Sequence, residues 1–120
     1  IYVFLRFLEI LSNEPDLINH LSDLPKTYTT SEIDIAFHEN NHFEFMERFI
    51  ENNDFNDYRI SYLDGIKITD EYSWGLIRAS NTSPKITLRF EALSENSLIN
   101  IKNEIKNAIL KIDNTIELPF

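Results

Sequence analysis

The sequence predicts an α+β domain in which a mostly antiparallel sheet of four to five strands carries its helices on one face. Three observations support this fold class. Apolar and polar residues alternate in several short segments, a helical pattern interrupts these segments once, and a second helical pattern closes the chain. From residue 29 onwards the predicted order of elements is βαββββα.

Composition limits the classes of function. The chain has 120 residues, 42% of them hydrophobic, which fits a globular domain. It has no cysteine, which excludes a disulfide framework, thiol catalysis and cysteine-based zinc sites. The net charge of −9 disfavours binding to nucleic acid or to an anionic membrane, although a small anion can bind where cations are locally concentrated. No apolar run reaches membrane-spanning length, and we expect a cytoplasmic protein.

The first part of the chain differs from the rest. Ile1–Leu11 is apolar on nearly all sides of a predicted helix, which indicates a helix that packs against another domain. Glu14–Leu21 predicts a second short helix, and Leu24–Thr30 lacks periodicity, as an interdomain hinge does. We therefore assign residues 1–28 to the end of a preceding domain and its hinge, and residues 29–120 to a separate domain.

The second domain opens with a strand and a helix. Glu32–Phe37 alternates between polar and apolar residues, which predicts a half-buried strand. Asn41 and Glu44 have the spacing of a capping box, so we expect a helix to follow Asn41 and to end near Asn52. The predicted buried face of this helix consists of Phe43, Met46, Phe49 and Ile50.

A β-hairpin is predicted next. Tyr58–Leu63 and Ile66–Thr69 have strand patterns, and the Asp64-Gly65 pair between them is typical of a two-residue hairpin turn.

Two further strands and a helix complete the domain. The strands are predicted at Trp74–Ala79 and Lys85–Ala92. Ser94 is a suitable N-cap for the last helix. The apolar face of that helix consists of Leu98, Ile101, Ile105, Ala108, Ile109 and Ile112.

The connection between the last two strands has the composition of a phosphate site. No carboxylate occurs between Tyr72 and Phe90, although the chain as a whole is acidic. The cations of this stretch are Arg78, Lys85 and Arg89. Between the first two lies a run of small hydroxyl and amide residues, Ser80–Ser83, followed by a proline. Short side chains let backbone N–H groups face an anion, hydroxyls donate hydrogen bonds, and arginine supplies a planar charged fork.

The motifs of this region resemble those of a known family. They are, in order, Asp64-Gly65-Ile66-Lys67-Ile68, Trp74-Gly75-Leu76, Arg78-Ala79-Ser80-Asn81-Thr82-x-Pro84 and Leu88-Arg89-Phe90-Glu91-Ala92. Together they resemble the C-terminal domain of the α-D-phosphohexomutases, and within that family the bacterial phosphomannomutase/phosphoglucomutase branch. The resemblance runs from about Thr29 to Phe120 and implies a TATA-binding-protein-like fold.

The resemblance implies a role within a four-domain enzyme. A phosphoserine in the first domain exchanges its phosphoryl group with a hexose phosphate, such as mannose or glucose 1- or 6-phosphate, and a bisphosphate intermediate lets the group move between C1 and C6. A magnesium loop lies in the second domain, and the third reads the sugar hydroxyls. The fourth domain clamps the phosphate that does not react. This chain would therefore hold no catalytic residue and no cofactor, and we expect it to be inactive alone; its partners would be the hexose phosphate and the other domains.

The resemblance also implies which residues bind the phosphate. Arg78 matches the leading arginine of the loop, and Arg89 matches an arginine on the following strand. The implied donors of side-chain and backbone hydrogen bonds are Ser80, Asn81 and Thr82. Lys85 matches a position that is often basic, and Ser83 stands where many relatives carry glutamate.

Two alternatives from other classes remain open. His38-Glu39-Asn40-Asn41-His42 fits the H-E-x-x-H pattern of zinc hydrolases, with a carboxylate such as Glu71 as a third ligand. That chemistry needs both histidines on one face of a continuous helix, whereas here the pattern spans a predicted strand end and a helix start. The other alternative is a non-catalytic binding module that uses the face of the sheet.

Overall fold

The computed structural model describes residues 1–14, 16, 22, 24–38 and 41–120. Within these ranges the helices are α1 (Tyr2–Asn13), α2 (Asn41–Asn52) and α3 (Glu95–Ile112). The strands are β1 (Tyr28–Thr29), β2 (Ile33–Ala36), β3 (Arg59–Ser61), β4 (Ile66–Thr69), β5 (Ser73–Ala79) and β6 (Lys85–Ala92). None of the described helices is both long and apolar enough to cross a membrane.

The strands form one antiparallel sheet in the order β1-β6-β5-β4-β3, with β2 also paired to β6. β1 and β2 pair with opposite ends of β6: Tyr28 lies opposite Ala92, and Ala36 lies opposite Lys85. The two short strands thus follow one another along a single edge. The sheet has six strands but is five strands wide, and the predicted α+β class is confirmed.

The segment before the sheet agrees with the sequence prediction only in part. α1 confirms the first predicted helix, and it has no buried residue. The predicted helix at Glu14–Leu21 lies largely outside the described residues. The predicted hinge, Leu24–Thr30, is too long, because β1 falls within it and the Thr30 N–H donates to the Phe90 carbonyl at 3.0 Å. Residues 24–27 remain as the aperiodic part of that segment.

The core lies between the sheet and helices α2 and α3, which cover one of its faces. The largest fully buried apolar side chains are Phe49, Ile66, Ile68, Ile77, Ile86, Leu88, Phe90, Ile101, Ile105 and Ile109. Along β5 and β6 the core-facing residues alternate with residues on the open face, as the period of two requires. The open face therefore carries the charged members of both strands.

Helix α3 matches its prediction closely. The side chain of Ser94 accepts a hydrogen bond from the Ser97 N–H at 3.1 Å and so caps the helix. Its buried residues are Ile101, Ile105, Ala108 and Ile109, and Leu98 and Ile112 pack beside them.

The predicted face of α2 is wrong at Phe43, which is 44% exposed. Met46 and Phe49 are buried and Ile50 packs against the core, as expected. The buried positions of the helix are His42, Phe45, Met46 and Phe49, which have the i, i+3, i+4, i+7 spacing of one helix face. His42 and Phe45 are therefore core residues that the predicted face did not include.

The predicted cap of α2 is also displaced. Asn41 is the first residue of the helix itself and so does not precede it as a cap. The residue before Asn41 is outside the described residues.

The β3–β4 hairpin does not have the predicted two-residue turn. A two-residue turn at Asp64-Gly65 would place Tyr62 opposite Lys67. In the structure Ser61 lies opposite Lys67, so the middle of the connection is Asp64. The connection therefore contains an odd number of residues. Gly65 has φ of +77°, as a three-residue loop that ends in a left-handed residue requires.

Gly75 allows α3 to approach the sheet closely. It lies on the core face of β5, and a Cβ atom at this position would lie 2.4 Å from Cδ1 of Ile105 and 3.2 Å from the ring of Phe90. No side chain fits there without displacement of its neighbours.

We expect Gly75→Ala to lower the free energy of unfolding by about 1–3 kcal/mol because it overpacks this contact. Denaturant unfolding measures the change. Ile105→Val removes the methyl group that clashes, so the double variant should be more stable than the sum of the two single effects predicts. Strict additivity would contradict the assigned contact.

Candidate functional site

The connection between β5 and β6 is a tight polar loop. The strands pair up to Ala79 and Ile86, and beyond them the Ser80 N–H donates to the Lys85 carbonyl at 2.9 Å. The Lys85 N–H donates instead to the Ser83 carbonyl at 2.8 Å, which closes the loop. The strand period directs Arg78 to the open face of the sheet, because its neighbours Ile77 and Ala79 belong to the core side.

A cavity of about 310 Å³ lies at this loop. Its lining combines the loop with the β3–β4 turn and with the residue before β2. The lining residues are Glu32, Asp64, Arg78, Ala79, Ser80, Asn81, Thr82, Ser83, Lys85 and Thr87. The structure thus brings five predicted site residues together in one cavity: Arg78, Ser80, Asn81, Thr82 and Lys85.

Arg78 is held at the surface by two acids. Its Nη1 donates to Oδ2 of Asp64 at 3.1 Å, and its Nη2 lies 3.7 Å from Oε1 of Glu32. All three side chains are more than 40% exposed. Exposed ion pairs of this kind contribute at most about 1 kcal/mol, so the guanidinium can exchange these partners for a stronger anion.

Lys85 is engaged on the neighbouring wall. Its Nζ lies 2.6 Å from Oδ2 of Asp34, and the Thr87 hydroxyl donates to Oδ1 of the same carboxylate at 2.8 Å. The hydrogen bond from Lys85, and then that from Thr87, holds the pKa of Asp34 below its usual range. Part of the positive charge of this wall is therefore already compensated.

The hydroxyl groups and free amides of the loop can serve an anion. The Thr82 N–H donates to Oγ of Ser80 at 3.3 Å, and the two hydroxyl oxygens lie 3.4 Å apart. Within the described chain, the backbone N–H groups of Asn81 and Ser83 donate to no acceptor. These two amides are available as donors.

Arg89 does not line the cavity. It lies on the open face of β6 opposite Leu76, and this makes it a diagonal neighbour of Arg78, which lies opposite Thr87. Diagonal neighbours on one face are about 7–8 Å apart, within the reach of long side chains. Arg89 is exposed and makes no ion pair with any described residue.

A larger cavity of about 930 Å³ lies between the C-terminal segment and the β2–α2 region. Its lining includes the acids Asp34, Glu44, Asp113 and Glu117, and Arg48 is the one Lys or Arg side chain that the described lining contains. This balance of charge is unfavourable for an anion, so we assign no predicted function to this cavity.

The histidines of the H-E-x-x-H pattern do not have the geometry of a zinc hydrolase. His38 lies before the start of α2, whereas His42 is 1% exposed and its Nε2 lies 2.9 Å from the Ser80 carbonyl oxygen. Glu71 precedes the seven-residue strand β5, and Ser80, which His42 contacts, follows it. Glu71 is therefore about 20 Å from His42, the length of this strand. Among the described residues, no group of three or more His, Cys, Asp or Glu could hold a metal.

Sequence analysis missed three residues of this region. Asp64 and Glu32 contact Arg78, and His42 contacts the loop from the core side. The sheet order explains the position of Asp64, because β4 lies beside β5 and carries the hairpin turn next to Arg78. The Asp64-Gly65 turn motif was the one feature of the sequence that pointed to these contacts.

Comparison with known proteins identifies the family. The family model described as "Phosphoglucomutase/phosphomannomutase, C-terminal domain" matches residues 30–108. The chain belongs to this family. It is 36% identical over 121 aligned residues to a phosphomannomutase/phosphoglucomutase of Pseudomonas aeruginosa, covering 100% of this chain and 26% of the relative.

Other members of the family agree with this assignment. A phosphoglucomutase of Neisseria meningitidis serogroup B is 33% identical over 118 residues, covering 97% of this chain and 26% of the relative. The crystal structure of a phosphoglucomutase/phosphomannomutase family protein from Burkholderia thailandensis superimposes with a TM-score of 0.83 at 29% identity, covering 96% of this chain and 24% of that one. The chain thus spans about a quarter of the length of the relatives that it matches.

We expect the Asp34 contacts to give a defined pH dependence of stability. Because folding lowers the pKa of this carboxyl, its contribution is present above the unfolded value of about 3.9 and is lost as the pH falls towards the folded value. Asp34→Asn should therefore lower the melting temperature at pH 7, and the difference from wild type should narrow below about pH 4.

Melting curves between pH 7 and pH 3 test this expectation. Asp54→Asn is the control, since Asp54 is exposed and makes no hydrogen bond with the described residues. A difference between Asp34→Asn and wild type that stays constant over the whole range would contradict the assigned contacts.

Proposed function

We propose that residues 29–120 are the phosphate-clamping C-terminal domain of a phosphohexomutase. In this proposal Arg78, Ser80, Asn81 and Thr82 bind the phosphate group of a hexose phosphate that does not react, and Arg89 reaches the same ligand from the next strand. The observation that carries the proposal is the single cavity in which the guanidinium and the hydroxyl-rich loop meet.

The chemistry of these groups suits a phosphate dianion. Each charge-assisted hydrogen bond contributes about 1.5–3 kcal/mol, and arginine can supply two in parallel. The two hydroxyls, the Asn81 amide and the unpaired backbone N–H groups add neutral donors around the same space. On binding, Arg78 would exchange its exposed carboxylate partners for the phosphate.

The parent enzyme would move a phosphoryl group between C1 and C6 of the sugar through a bisphosphate intermediate. A clamp that holds a phosphate equally well in both orientations of the sugar accelerates the reaction only by positioning the other end of the ligand. The serine loop, the magnesium loop and the groups that read the sugar hydroxyls would lie in other domains. Among the described residues no cluster of metal ligands is found, and we assign magnesium no position here. Since the serine loop and the magnesium loop would lie in other domains, we expect no mutase activity from this chain alone.

The N-terminal helix supports a multidomain parent. α1 exposes large apolar side chains over most of its surface, including Phe4, Leu5 and Leu8. We propose that residues 1–28 are the end of the preceding domain and the hinge, and that this helix packs within that domain.

We expect mannose 1-phosphate to bind at the β5–β6 loop. In an NMR titration of the chain, the amide signals of Ser80–Thr82 should shift, and Arg78→Ala should weaken binding by about tenfold to a hundredfold, because it removes charge-assisted hydrogen bonds. Arg59→Ala is the matched control, since Arg59 lies on β3 outside the cavity lining. Shifts confined to Thr115–Leu118, beside the larger cavity, would overturn the proposal.

We also expect Asp64→Asn to tighten phosphate binding. Two unit charges about 6 Å apart in water interact by about 0.7 kcal/mol, so loss of this competing carboxylate should lower the dissociation constant roughly threefold. Titrations at low and high salt measure the effect, which should shrink as salt increases. Glu71→Gln, an equal change of charge outside the cavity lining, should have little effect. Equal effects of both substitutions would show that only net charge matters.

A further inference from the structure

The hydrogen-bond ladder of β5 and β6 leaves one carbonyl without its strand partner. Residues of a hydrogen-bonded antiparallel pair exchange two N–H···O=C bonds. Ser80 and Lys85 exchange only one, because the Lys85 N–H donates to the Ser83 carbonyl. The carbonyl oxygen of Ser80 is therefore free to accept a bond from another group.

His42 supplies that bond. Its Nε2 lies 2.9 Å from the Ser80 carbonyl oxygen. A carbonyl can only accept, so Nε2 carries the proton. The other ring nitrogen, Nδ1, is buried and has no partner among the described groups. His42 thus places a polar ring in the core, where one of its nitrogens makes a hydrogen bond and the other makes none among the described groups.

The loop is attached to the β2–α2 region at both of its ends. The Phe37 N–H donates to the Pro84 carbonyl at 2.8 Å, and His42 donates to Ser80. Between these two attachments lie Asn81 and Ser83, whose backbone N–H groups are unpaired within the described chain.

The orientation of one peptide group follows from the His42 contact. The Ser80 carbonyl and the Asn81 N–H belong to the same planar trans peptide, so they point in opposite directions. Since His42 holds the carbonyl towards the core, the N–H is directed away from the core.

We propose that His42 is a positioning residue that fixes the Ser80–Asn81 peptide so that the Asn81 N–H donates to the phosphate of the ligand. This proposal rests on the proposed function. His42 does not touch the ligand. Without its bond the peptide can rotate, and a carbonyl oxygen then faces the anion in place of an N–H donor.

A pair of substitutions tests the proposal in the 120-residue chain. His42→Gln keeps an N–H donor near the position of Nε2, whereas His42→Leu has similar bulk and no donor. Loss of the oriented donor should raise the dissociation constant of mannose 1-phosphate about tenfold or more in His42→Leu, and His42→Gln should stay within about threefold of wild type. Phe45→Leu, a change at another buried position of α2, should lower the melting temperature without altering affinity.

The Asn81 amide proton gives a second measurement. In wild type and His42→Gln it should shift downfield when mannose 1-phosphate binds, as a new hydrogen bond requires, and in His42→Leu it should not. If His42→Leu fails to fold, the wild-type and His42→Gln signals decide, and the absence of a downfield shift in wild type overturns the proposal.

The remaining outcomes separate the two proposals. If wild type does not bind mannose 1-phosphate, the proposed function fails, and the role of His42 fails with it. If wild type binds and folded His42→Leu binds within twofold of it, the phosphate site stands and the positioning role of His42 is wrong.

Discussion

The antiparallel pairing of β5 with β6 is the interaction on which the rest of the domain depends. It extends over seven residue pairs, from Ser73 opposite Ala92 to Ala79 opposite Ile86. The period of two assigns each residue of both strands to one face, so Ile77, Ile86 and Leu88 lie on the side of α2 and α3. Arg78, Thr87 and Arg89 lie on the other face. Gly75 lets α3 approach this pair closely. The register of β5 against β6 fixes the position of the loop that joins them.

The candidate site combines two kinds of support. On the open face, exposed carboxylates hold Arg78 beside the loop by weak contacts that another anion can replace. A buried histidine and the backbone N–H of Phe37 hold the two ends of the loop. The charged group is therefore adaptable, and the backbone around it is fixed. A site with a local positive charge can work in this way in a chain whose net charge is −9.

Much of this arrangement could be predicted because it depends on local patterns. β2 to β6 and α3 follow from periodicity, whereas the short β1 was missed. The Ser94 cap follows from residue type, and the loop follows from a run of small polar residues between cations. His42 was missed because its partner lies 38 residues away, and a histidine on a helix reads as a surface residue until that partner is known. The predicted register of the β3–β4 hairpin was wrong because an Asp-Gly pair occurs in loops of both two and three residues. Asp64 and Glu32 reach Arg78 only through the order of the strands, which no local pattern contains.

The split edge strand has a mechanical consequence. β1 joins the sheet at the Ala92 end of β6, directly after residues 24–27, whereas the loop lies beyond the Lys85 end of the same strand. Eight residues of strand at about 3.3 Å each separate the two by roughly 25 Å. If the domain swings about residues 24–27, the loop travels on a lever of this length, and a rotation of about 10° displaces it by about 4–5 Å. A small change in backbone angle at the pivot would thus move the tip of the β5–β6 loop by more than one atom's diameter.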